Sequence, residues 1–191
     1  QVINFYNERR KQLLDVVPNA GHLGVADLER DFNVTVVTQN VDNLHERAGS
    51  THVIHLHGEL TKVCSSRDPY NPHFVKELAP EEYEVKLGDK AGDGTQLRPF
   101  IVWFGESVPE IETAIRYVEQ ADIFVIIGTS LNVYPAAGLL NYVPRAAEVY
   151  LIDPKPVDTH VMRPIHVIQK GASEGVKELK ALLTVTQPPL P

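Results

Sequence analysis

The chain has 191 residues, of which 43% are hydrophobic and 23% are charged, and its formal net charge is -7. This length and composition predict a soluble globular protein of one domain, or one domain plus a small insert, with a buried core. The negative charge argues against nucleic acid or an anionic membrane as the main partner. No apolar run approaches the length of a membrane span, and the single cysteine, Cys64, excludes an internal disulfide framework. We therefore expect a cytoplasmic protein, with a monomer as the working expectation.

Short apolar runs alternate with helical patterns along the whole chain. The patterns predict helices at 2–14, 20–31, 41–48, 110–120, 135–146 and 173–183, and strands at 34–38, 52–57, 100–104, 123–128, 149–153 and 166–169. Runs such as 123–128 are hydrophobic on both faces, as are the strands of a parallel sheet that helices cover on each side. The order predicts an α/β fold with a doubly wound parallel sheet.

One segment, 64–98, interrupts this alternation of strands and helices. It is rich in charge and contains Pro69, Pro72, Pro80, Gly88, Gly92 and Gly94. Such a composition predicts a small irregular insert rather than another strand and helix. The expected organisation is one α/β domain built from 1–63 and 99–185, the insert 64–98 between its two parts, and a disordered tail at 186–191.

Polar residues follow two of the predicted strands directly, where open parallel sheets bind their ligands. They are Gln39, Asn40 and Asp42 after the first strand, and Gly128, Thr129 and Ser130 after the fourth. Carboxamides and a carboxylate are suited to an amide or a ribose, whereas glycine and hydroxyls at a helix entrance are suited to phosphate or ribose. The alternative is that Asp42 and Ser130 only cap the helices that follow them.

A histidine and a glycine-containing edge offer two further candidate features. His57 lies at the end of a predicted strand, and its ordinary pKa near neutrality makes it a usable general base. His55 lies two residues earlier, on the same face of an extended strand, and the pattern does not choose between the two. Phe104, Gly105 and Glu106 end another predicted strand, where an extended peptide could pair, although an ordinary turn is the alternative.

Four segments together resemble one known family. "TQNVDNLHERAG", "HLHGEL", "RPFIVWFGE" and "GTSLNVYPAAG" are similar, in order and spacing, to signature blocks of the sirtuins, the NAD-dependent protein lysine deacylases. The resemblance runs from Tyr6 to about Leu183 and implies a Rossmann-like NAD-binding domain. It also implies the chemistry, in which the acyl oxygen of acyl-lysine attacks the nicotinamide ribose as nicotinamide leaves. The resulting alkylimidate is attacked by the activated 2′-hydroxyl, and water then releases lysine and O-acyl-ADP-ribose.

The resemblance also assigns roles to residues of this chain. His57 would be the base that deprotonates a ribose hydroxyl, with Asn40 and Asp42 as further catalytic residues. The predicted NAD-binding residues are Gln39, Asn40, Asp42, Gly128, Thr129, Ser130, Asp153 and Ala172. The residues expected to flank the acyl-lysine peptide are Val102, Phe104, Gly105 and Glu106.

The segment "NFYNERRKQ" resembles the Tyr-x-x-Arg helix of class III bacterial sirtuins. Tyr6 and Arg9 are spaced i, i+3 and would lie on one helical face at the floor of the acyl pocket. An arginine fork suits a carboxylate, which implies succinyl-, malonyl- or glutaryl-lysine in addition to acetyl-lysine. The alternative is that this charged run is only a solvated helix face.

Three departures from the sirtuin pattern limit what the resemblance implies. The glycine-rich block that grips the NAD pyrophosphate does not occur in this sequence, so we expect a fragment that lacks the first βα unit. Sirtuins usually hold a structural zinc with four cysteines, whereas the insert contains only Cys64, so we expect no zinc. Asp153 occupies a position where the family usually has asparagine, and it loses a hydrogen-bond donor.

Two rival functions follow from other features of the sequence. A different NAD enzyme, such as a dehydrogenase, is compatible with the predicted fold, but the sequence has no G-x-G-x-x-G fingerprint. A non-catalytic module that binds NAD or ADP-ribose is the other rival, and the missing pyrophosphate loop favours it.

Overall fold

The computed structural model describes residues 1–129, 131, 134–157 and 163–185. The helices are α1 (Val2–Asp15), α2 (Ala20–Asp27), α3 (Leu44–Ala48), α4 (Ile111–Val118), α5 (Ala136–Leu140) and α6 (Ala172–Val185). The strands are β1 (Val36–Thr38), β2 (Val53–His55), β3 (Gly58–Ser65), β4 (Lys76–Glu77), β5 (Leu97–Ile101), β6 (Ile123–Ile127), β7 (Glu148–Ile152) and β8 (His166–Ile168). Short 3₁₀ turns occur at Leu28–Arg30, Pro72–Phe74 and Pro80–Glu82.

The chain forms two compact units and passes between them several times. Unit 1 contains Gln1–Val17, Val36–Arg47 and Val53–Glu110. Unit 2 contains Pro18–Thr35, Ala48–His52 and Ile111–Pro191. This division differs from the segments expected from sequence. The segment 64–98 is part of unit 1 because β3 and β5, at its two ends, pair with each other.

Unit 1 contains a parallel pair of strands and an antiparallel sheet. Strands β1 and β2 pair in parallel, with Thr38 opposite His55. The antiparallel sheet has the order β4-β3-β5, and its register shifts between Glu59 and Val63. Gly58, at the start of β3, has φ +88°, and an added Cβ would lie 2.1 Å from the Phe100 carbonyl oxygen. Only glycine fits this close approach of two backbones.

Helix α1 attaches to the rest of unit 1 through polar side chains. Asn7 donates to the Val85 carbonyl over 2.8 Å and accepts from the Val85 N–H over 2.9 Å. Arg10 donates to the Tyr83 carbonyl over 2.8 Å and to the Asn7 side-chain oxygen over 2.6 Å. Burial lowers the pKa of Arg10, although these acceptors satisfy its donors. The helix is therefore fixed to the backbone of the segment around 83–85.

Unit 2 is built on a parallel sheet with the order β6-β7-β8. The strand β7 is central, and Leu151 and Ile152 are fully buried. Helix α6 covers the sheet with Val176 and Leu179, which are each 1% exposed. An added Cβ at Gly24 on α2 would lie 2.7 Å from the Val176 side chain, so the small residue permits close packing of α2 on α6.

The predicted α/β class with parallel strands is confirmed, whereas several predicted boundaries are wrong. The strand predicted at 52–57 ends at His55, and the strand predicted at 100–104 lies at Leu97–Ile101. The helices predicted at 41–48 and 135–146 shrink to Leu44–Ala48 and Ala136–Leu140. Loop residues with helical or apolar character extended these patterns beyond the true ends.

The tail 186–191 and Ser130 lie outside the described residues. Within the part of the chain that the structure describes, none of the helices combines the length and the apolar character needed to cross a bilayer.

Candidate active site

A pocket of about 390 Å³ lies in unit 1 beside the residues that follow β1. It is lined by Arg9, Gln12, Leu13, Val16, Gln39, Asn40, Val41, Asp42 and Leu60. The pocket therefore brings Arg9 together with Gln39, Asn40 and Asp42. Tyr6 and His57 are not among these lining residues.

Backbone hydrogen bonds fix the stretch 38–42 on both sides. The Thr38 hydroxyl accepts from the Asn40 N–H over 3.0 Å, and the Thr38 carbonyl accepts from the Leu56 N–H over 3.0 Å. The Val41 carbonyl accepts from the Leu60 N–H over 2.7 Å. Thr38 is buried, whereas the Asn40 residue is exposed. A rigid backbone thus carries carboxamide side chains at the edge of the pocket.

Asp42 has the geometry of a helix cap and also lines the pocket. Its Oδ1 accepts from the Leu44 N–H over 3.0 Å at the start of α3. At the other end of α3, Arg47 donates to the Leu13 carbonyl over 3.1 Å and to the Val16 carbonyl over 2.6 Å. Carbonyls at the C-terminal end of a helix, such as these two of α1, have no hydrogen-bond donor within the helix, and Arg47 supplies one. Helix α3 therefore ties the Asp42 side of the pocket to the α1 side.

The two candidate histidines lie in different environments. Because β2 ends at His55, residues 56 and 57 form a turn, and the expected common face of an extended strand is wrong. His55 is 8% exposed, whereas His57 is half-buried. His57 is the more accessible imidazole, and its carbonyl accepts from the Val102 N–H over 2.9 Å. This bond joins the His57 turn to the segment 102–106.

The segment 102–106 is held together by the Glu106 carboxylate. It accepts from the Trp103 N–H over 2.9 Å, from Arg98 Nη2 over 3.0 Å and from the Tyr70 hydroxyl over 2.9 Å. Burial opposes ionisation of Glu106, but these hydrogen bonds and the Arg98 charge outweigh it and lower the Glu106 pKa. Burial and the same carboxylate raise the pKa of Tyr70 to about 12.

The remaining residues of this segment face outward. Phe104 is fully exposed, and Gly105 has φ +88°. The Arg98 guanidinium lies 3.9 Å from the Trp103 ring centroid. The turn therefore presents an exposed aromatic side chain, that of Phe104.

In unit 2, three predicted NAD-binding residues follow parallel strands at one edge of one sheet. Gly128 follows β6, Asp153 follows β7 and Ala172 begins α6 after β8. Gly128 has φ +68° and open space where a Cβ would lie, and its N–H donates to the Ile152 carbonyl over 3.0 Å. Asp153 Oδ1 accepts from the Lys155 N–H over 2.8 Å. Thr129 is half-buried beside Gly128.

The proposed acyl-specificity residues lie on α1. Arg9 is exposed at the pocket wall, and its guanidinium carbon lies 5.7 Å from the Phe5 ring centroid. Tyr6 is half-buried, and its ring meets Phe5 edge-on at 5.1 Å between centroids.

Comparisons with known proteins decide the family. The model of the Sir2 family matches residues 1–135. The chain belongs to the Sir2 family. It is 84% identical over 182 residues to an NAD-dependent protein deacylase of Bacteroides thetaiotaomicron, which covers 95% of this chain and 78% of that protein. It is 47% identical over 179 residues to a deacylase of the same description from Helicobacter pylori, covering 94% and 76%.

Solved structures of the Sir2 family resemble this Sir2 chain in fold. A crystal structure of a Sir2 homologue in complex with NAD has 36% identity and a TM-score of 0.77, covering 96% of this chain and 71% of that chain. A structure of Sir2 with a p53 peptide and NAD+ has 27% identity and a TM-score of 0.71, covering 92% and 76%. The predicted sirtuin family is thereby confirmed.

The zinc that many sirtuins hold does not fit the donors of this Sir2 chain. Cys64 is fully buried, its Sγ lies 3.7 Å from the Pro99 carbonyl, and burial raises its pKa to about 11. It is also the only cysteine of the chain. One buried thiol with a raised pKa cannot replace four thiolates, so no step is derived through zinc.

Several residues that line or support the pocket were not predicted from the sequence. Gln12, Leu13 and Val16 line the pocket at positions i+3, i+4 and i+7 from Arg9, a helical spacing that the sequence does contain. Glu46 is hydrogen-bonded to His55 over 2.8 Å. That contact joins helix α3 to strand β2, and no local sequence pattern predicts it.

Proposed function

We propose that this chain is an NAD-dependent protein lysine deacylase that releases nicotinamide and O-acyl-ADP-ribose. The observation that carries the proposal is a pocket lined by Gln39, Asn40 and Asp42 on one side and by α1 on the other. The relatives from Bacteroides thetaiotaomicron and Helicobacter pylori, both called NAD-dependent protein deacylases, support it.

In this proposal the residues of the pocket bind and orient the nicotinamide and its ribose. NAD supplies the ribose carbon that receives the acyl oxygen and the nicotinamide that leaves. The carboxamides of Gln39 and Asn40 offer donors and acceptors for an amide, and the Asp42 carboxylate has an oxygen free to accept from a hydroxyl. The rigid backbone of 38–42 keeps these groups oriented.

His57 is proposed as the general base. Its half-buried imidazole takes a proton from a ribose hydroxyl, which requires the neutral ring. Gly58 supports the assignment because it permits the tight backbone approach to Phe100 that sets the turn. The hydrogen bond from the Val102 N–H to the His57 carbonyl couples this turn to the proposed peptide-binding segment.

The segment from Val102 to Glu106 is proposed to flank the acyl-lysine peptide. Its exposed Phe104 and backbone groups are available to an extended peptide. The Glu106 carboxylate accepts hydrogen bonds from Trp103, Arg98 and Tyr70, so its proposed contribution is to hold the turn. The structure of Sir2 with a p53 peptide supports an acylated peptide or protein as the substrate class.

The residues that follow the strands of the unit 2 sheet are proposed as further NAD-binding residues. Gly128 lets a ligand approach the backbone, Thr129 and Ser130 offer hydroxyls, and the Asp153 carboxylate accepts from ribose hydroxyls. Ala172, a small residue at the start of α6, is proposed to lie near adenine. These assignments follow the general position of ligands at the carboxyl ends of parallel strands.

Desuccinylase and demalonylase activity is proposed from Arg9 and Tyr6. Arg9 lies at the pocket wall, where its guanidinium can form two parallel hydrogen bonds with a distal carboxylate. Tyr6 is the neighbouring hydroxyl donor in this proposal. Acetyl-lysine would occupy the same pocket without these contacts.

The proposal includes a cytoplasmic monomer that binds neither nucleic acid nor membranes. The net charge of -7 and the single cysteine support these parts of it. Cell fractionation and light scattering of the purified full-length protein test location and mass. A dimeric mass or a membrane fraction would overturn the corresponding part.

The reaction is tested with the full-length protein, NAD and matched acetylated and succinylated peptides. Mass spectrometry should detect the deacylated peptide and O-acyl-ADP-ribose, together with one nicotinamide per turnover. A dehydrogenase would instead change the absorbance of the nicotinamide ring, and a binding module would bind NAD without turnover. Either result would overturn the proposal.

The role of His57 gives a direct mutational prediction. Replacing His57 with alanine should lower kcat/KM by about 10² to 10⁴ because a positioned general base is lost. The midpoint of thermal unfolding should change little, since the side chain is half-buried in a turn. His73→Ala, which removes an exposed imidazole from the segment 64–98, is the control and should retain activity. Equal losses in the two variants would contradict the assignment.

A further inference from the structure

His55 lies at the centre of a charged cluster behind the Gln39–Asp42 stretch. It ends β2 opposite Thr38, and its side chain is 6% exposed. Its Nδ1 lies 3.2 Å from the Asn40 carbonyl oxygen, and its Nε2 lies 2.8 Å from Glu46 Oε2. A second carboxylate, that of Glu59, lies 3.8 Å from Nε2. These three oxygen groups beside the ring nitrogens are all acceptors.

The acceptors determine which form of the ring fits. A backbone carbonyl and an ionised carboxylate accept hydrogen bonds, so both ring nitrogens must donate, and only the imidazolium has two N–H groups. Burial opposes this charge. The hydrogen bond that His55 donates to Glu46, the charges of Glu46 and Glu59 and the Asn40 carbonyl outweigh burial and raise the His55 pKa. The hydrogen bond and charge of His55 in turn lower the Glu46 pKa against its own burial.

The same cluster could be read as a cation site, because one ligand atom from each of Glu46, His55 and Glu59 lies within 4.8 Å of the others. The contacts favour the imidazolium instead. Lys62 Nζ already lies 2.7 Å from Glu59 Oε2, and both nitrogens of His55 have acceptors. The charges are balanced by side chains of the protein, and a second cation would meet the Lys62 charge.

The carbonyl that is hydrogen-bonded to His55 belongs to Asn40, one of the residues that line the pocket. Asn40 is fixed at its N–H by the Thr38 hydroxyl over 3.0 Å and at its carbonyl by His55. Both bonds come from the β1–β2 pair, and together they hold the backbone of Asn40, whose side chain is exposed. Glu46 belongs to α3, whose next residue, Arg47, binds the end of α1.

We propose that Glu46 and His55 are positioning residues that hold the Asn40 carbonyl and thereby orient the Asn40 side chain toward NAD. This inference rests on the proposed function of Asn40. Neither Glu46 nor His55 is among the residues that line the pocket, so they act through Asn40. A doubly protonated His55 donates to Asn40 all the time, whereas a neutral ring shares its one proton between two nitrogens.

The test is Glu46→Gln in the full-length protein, which removes one negative charge and keeps the shape of the side chain. The pKa of His55 should fall, so the imidazolium should be lost at a lower pH than in wild type. The alkaline limb of kcat/KM for NAD should move to lower pH, so the loss of activity relative to wild type should be severalfold larger at pH 8 than at pH 6. The Glu59 and Lys62 charges remain in the variant.

Two measurements separate positioning from a merely structural role. Nitrogen-15 NMR of the His55 ring should show its titration moving to lower pH in Glu46→Gln. The control Glu82→Gln, an exposed carboxylate paired with Lys76, should leave both the ring titration and the pH profile unchanged. An equal loss of activity at all pH values, or a pH profile within twofold of wild type, would overturn the proposal.

Calorimetric NAD binding at pH 6 and pH 8 keeps this test separate from the proposed function. If wild type binds NAD but does not turn over acyl-lysine, the deacylase proposal fails. The positioning proposal then stands if Glu46→Gln weakens NAD binding at pH 8 more than at pH 6. It is overturned if the variant and wild type bind NAD with the same pH dependence.

Discussion

Arg9 and Arg10 are adjacent on α1, but Arg10 is buried and Arg9 is exposed. Arg10 is 3% exposed and donates to the backbone at Tyr83 and Leu60, so its guanidinium holds the helix in place. Arg9 is exposed at the pocket wall. Because consecutive residues of a helix point about 100° apart, one arginine can be buried while its neighbour faces a ligand. The interpretation of "NERRK" as a uniformly solvated face is wrong for Arg10.

Replacing Arg9 with methionine should change acyl preference. If Arg9 binds a distal carboxylate, the variant loses charge-assisted hydrogen bonds, and turnover of succinyl-lysine should fall by about tenfold to a hundredfold. Acetyl-lysine has no such carboxylate, so its turnover should change little. The measurement is the ratio of kcat/KM for succinylated and acetylated versions of one peptide.

Lys11→Met is the matched control for Arg9→Met because it removes an exposed cation from the same helix. It should leave the ratio of succinyl to acetyl turnover unchanged. A ratio that also stays constant in Arg9→Met would place Arg9 on a solvated face, and the desuccinylase proposal would be withdrawn while the family assignment stood.

At the scale of elements, a network of hydroxyls and one carboxylate holds the segment 64–98 together. The Ser65 hydroxyl donates to Asp93 Oδ2 over 2.5 Å and accepts from the Arg67 and Asp68 N–H groups over 3.0 Å each. Thr95 donates to Asp93 Oδ1 through its hydroxyl over 2.6 Å. Ser65 is fully buried. The network joins the end of β3 to the residues just before β5.

The Asp93 carboxylate makes the stability of this segment depend on pH. Hydrogen bonds from Ser65 and Thr95 lower its pKa from 3.8 to about 2. The carboxylate therefore stabilises the fold above pH about 4, and this contribution is lost as the pH falls toward 2. In Asp93→Asn the thermal midpoint should be lower at pH 5 and should fall less steeply between pH 4 and pH 2.

Asp68→Asn is the control for Asp93→Asn because it removes an exposed carboxylate of the same segment. Its thermal midpoint should follow that of wild type through the acid range. If Asp93→Asn also followed wild type, the network would carry no share of the stability.

Metal analysis tests the same element independently. Because the segment is held by its own side chains and Cys64 is the only thiol, a chelator should leave the thermal midpoint of the full-length protein unchanged. Elemental analysis should find far less than one zinc per chain. Stoichiometric zinc, or a midpoint that falls with chelator, would contradict the expectation.

At the scale of the whole molecule, the sequence pattern predicted the parallel strands well and the rest of unit 1 poorly. Strands β6 and β7 are apolar on both faces, so their location and type followed from composition alone. Strand β3 was missed because it alternates polar and apolar residues through a segment broken by glycine and followed by prolines. Its stability comes from pairing with β5, which lies about thirty residues further along the chain.

The sequence by itself determined the family and the α/β class. Each depends on local order, since four blocks of consecutive residues carry the sirtuin resemblance and apolar runs carry the strands. Only the tertiary structure decided that His55 is buried and His57 is more exposed, and that Arg10 is buried while Arg9 is exposed. It also decided that Glu46 is hydrogen-bonded to His55. These outcomes depend on contacts between residues that are distant in the chain, where burial and hydrogen bonding override local pattern.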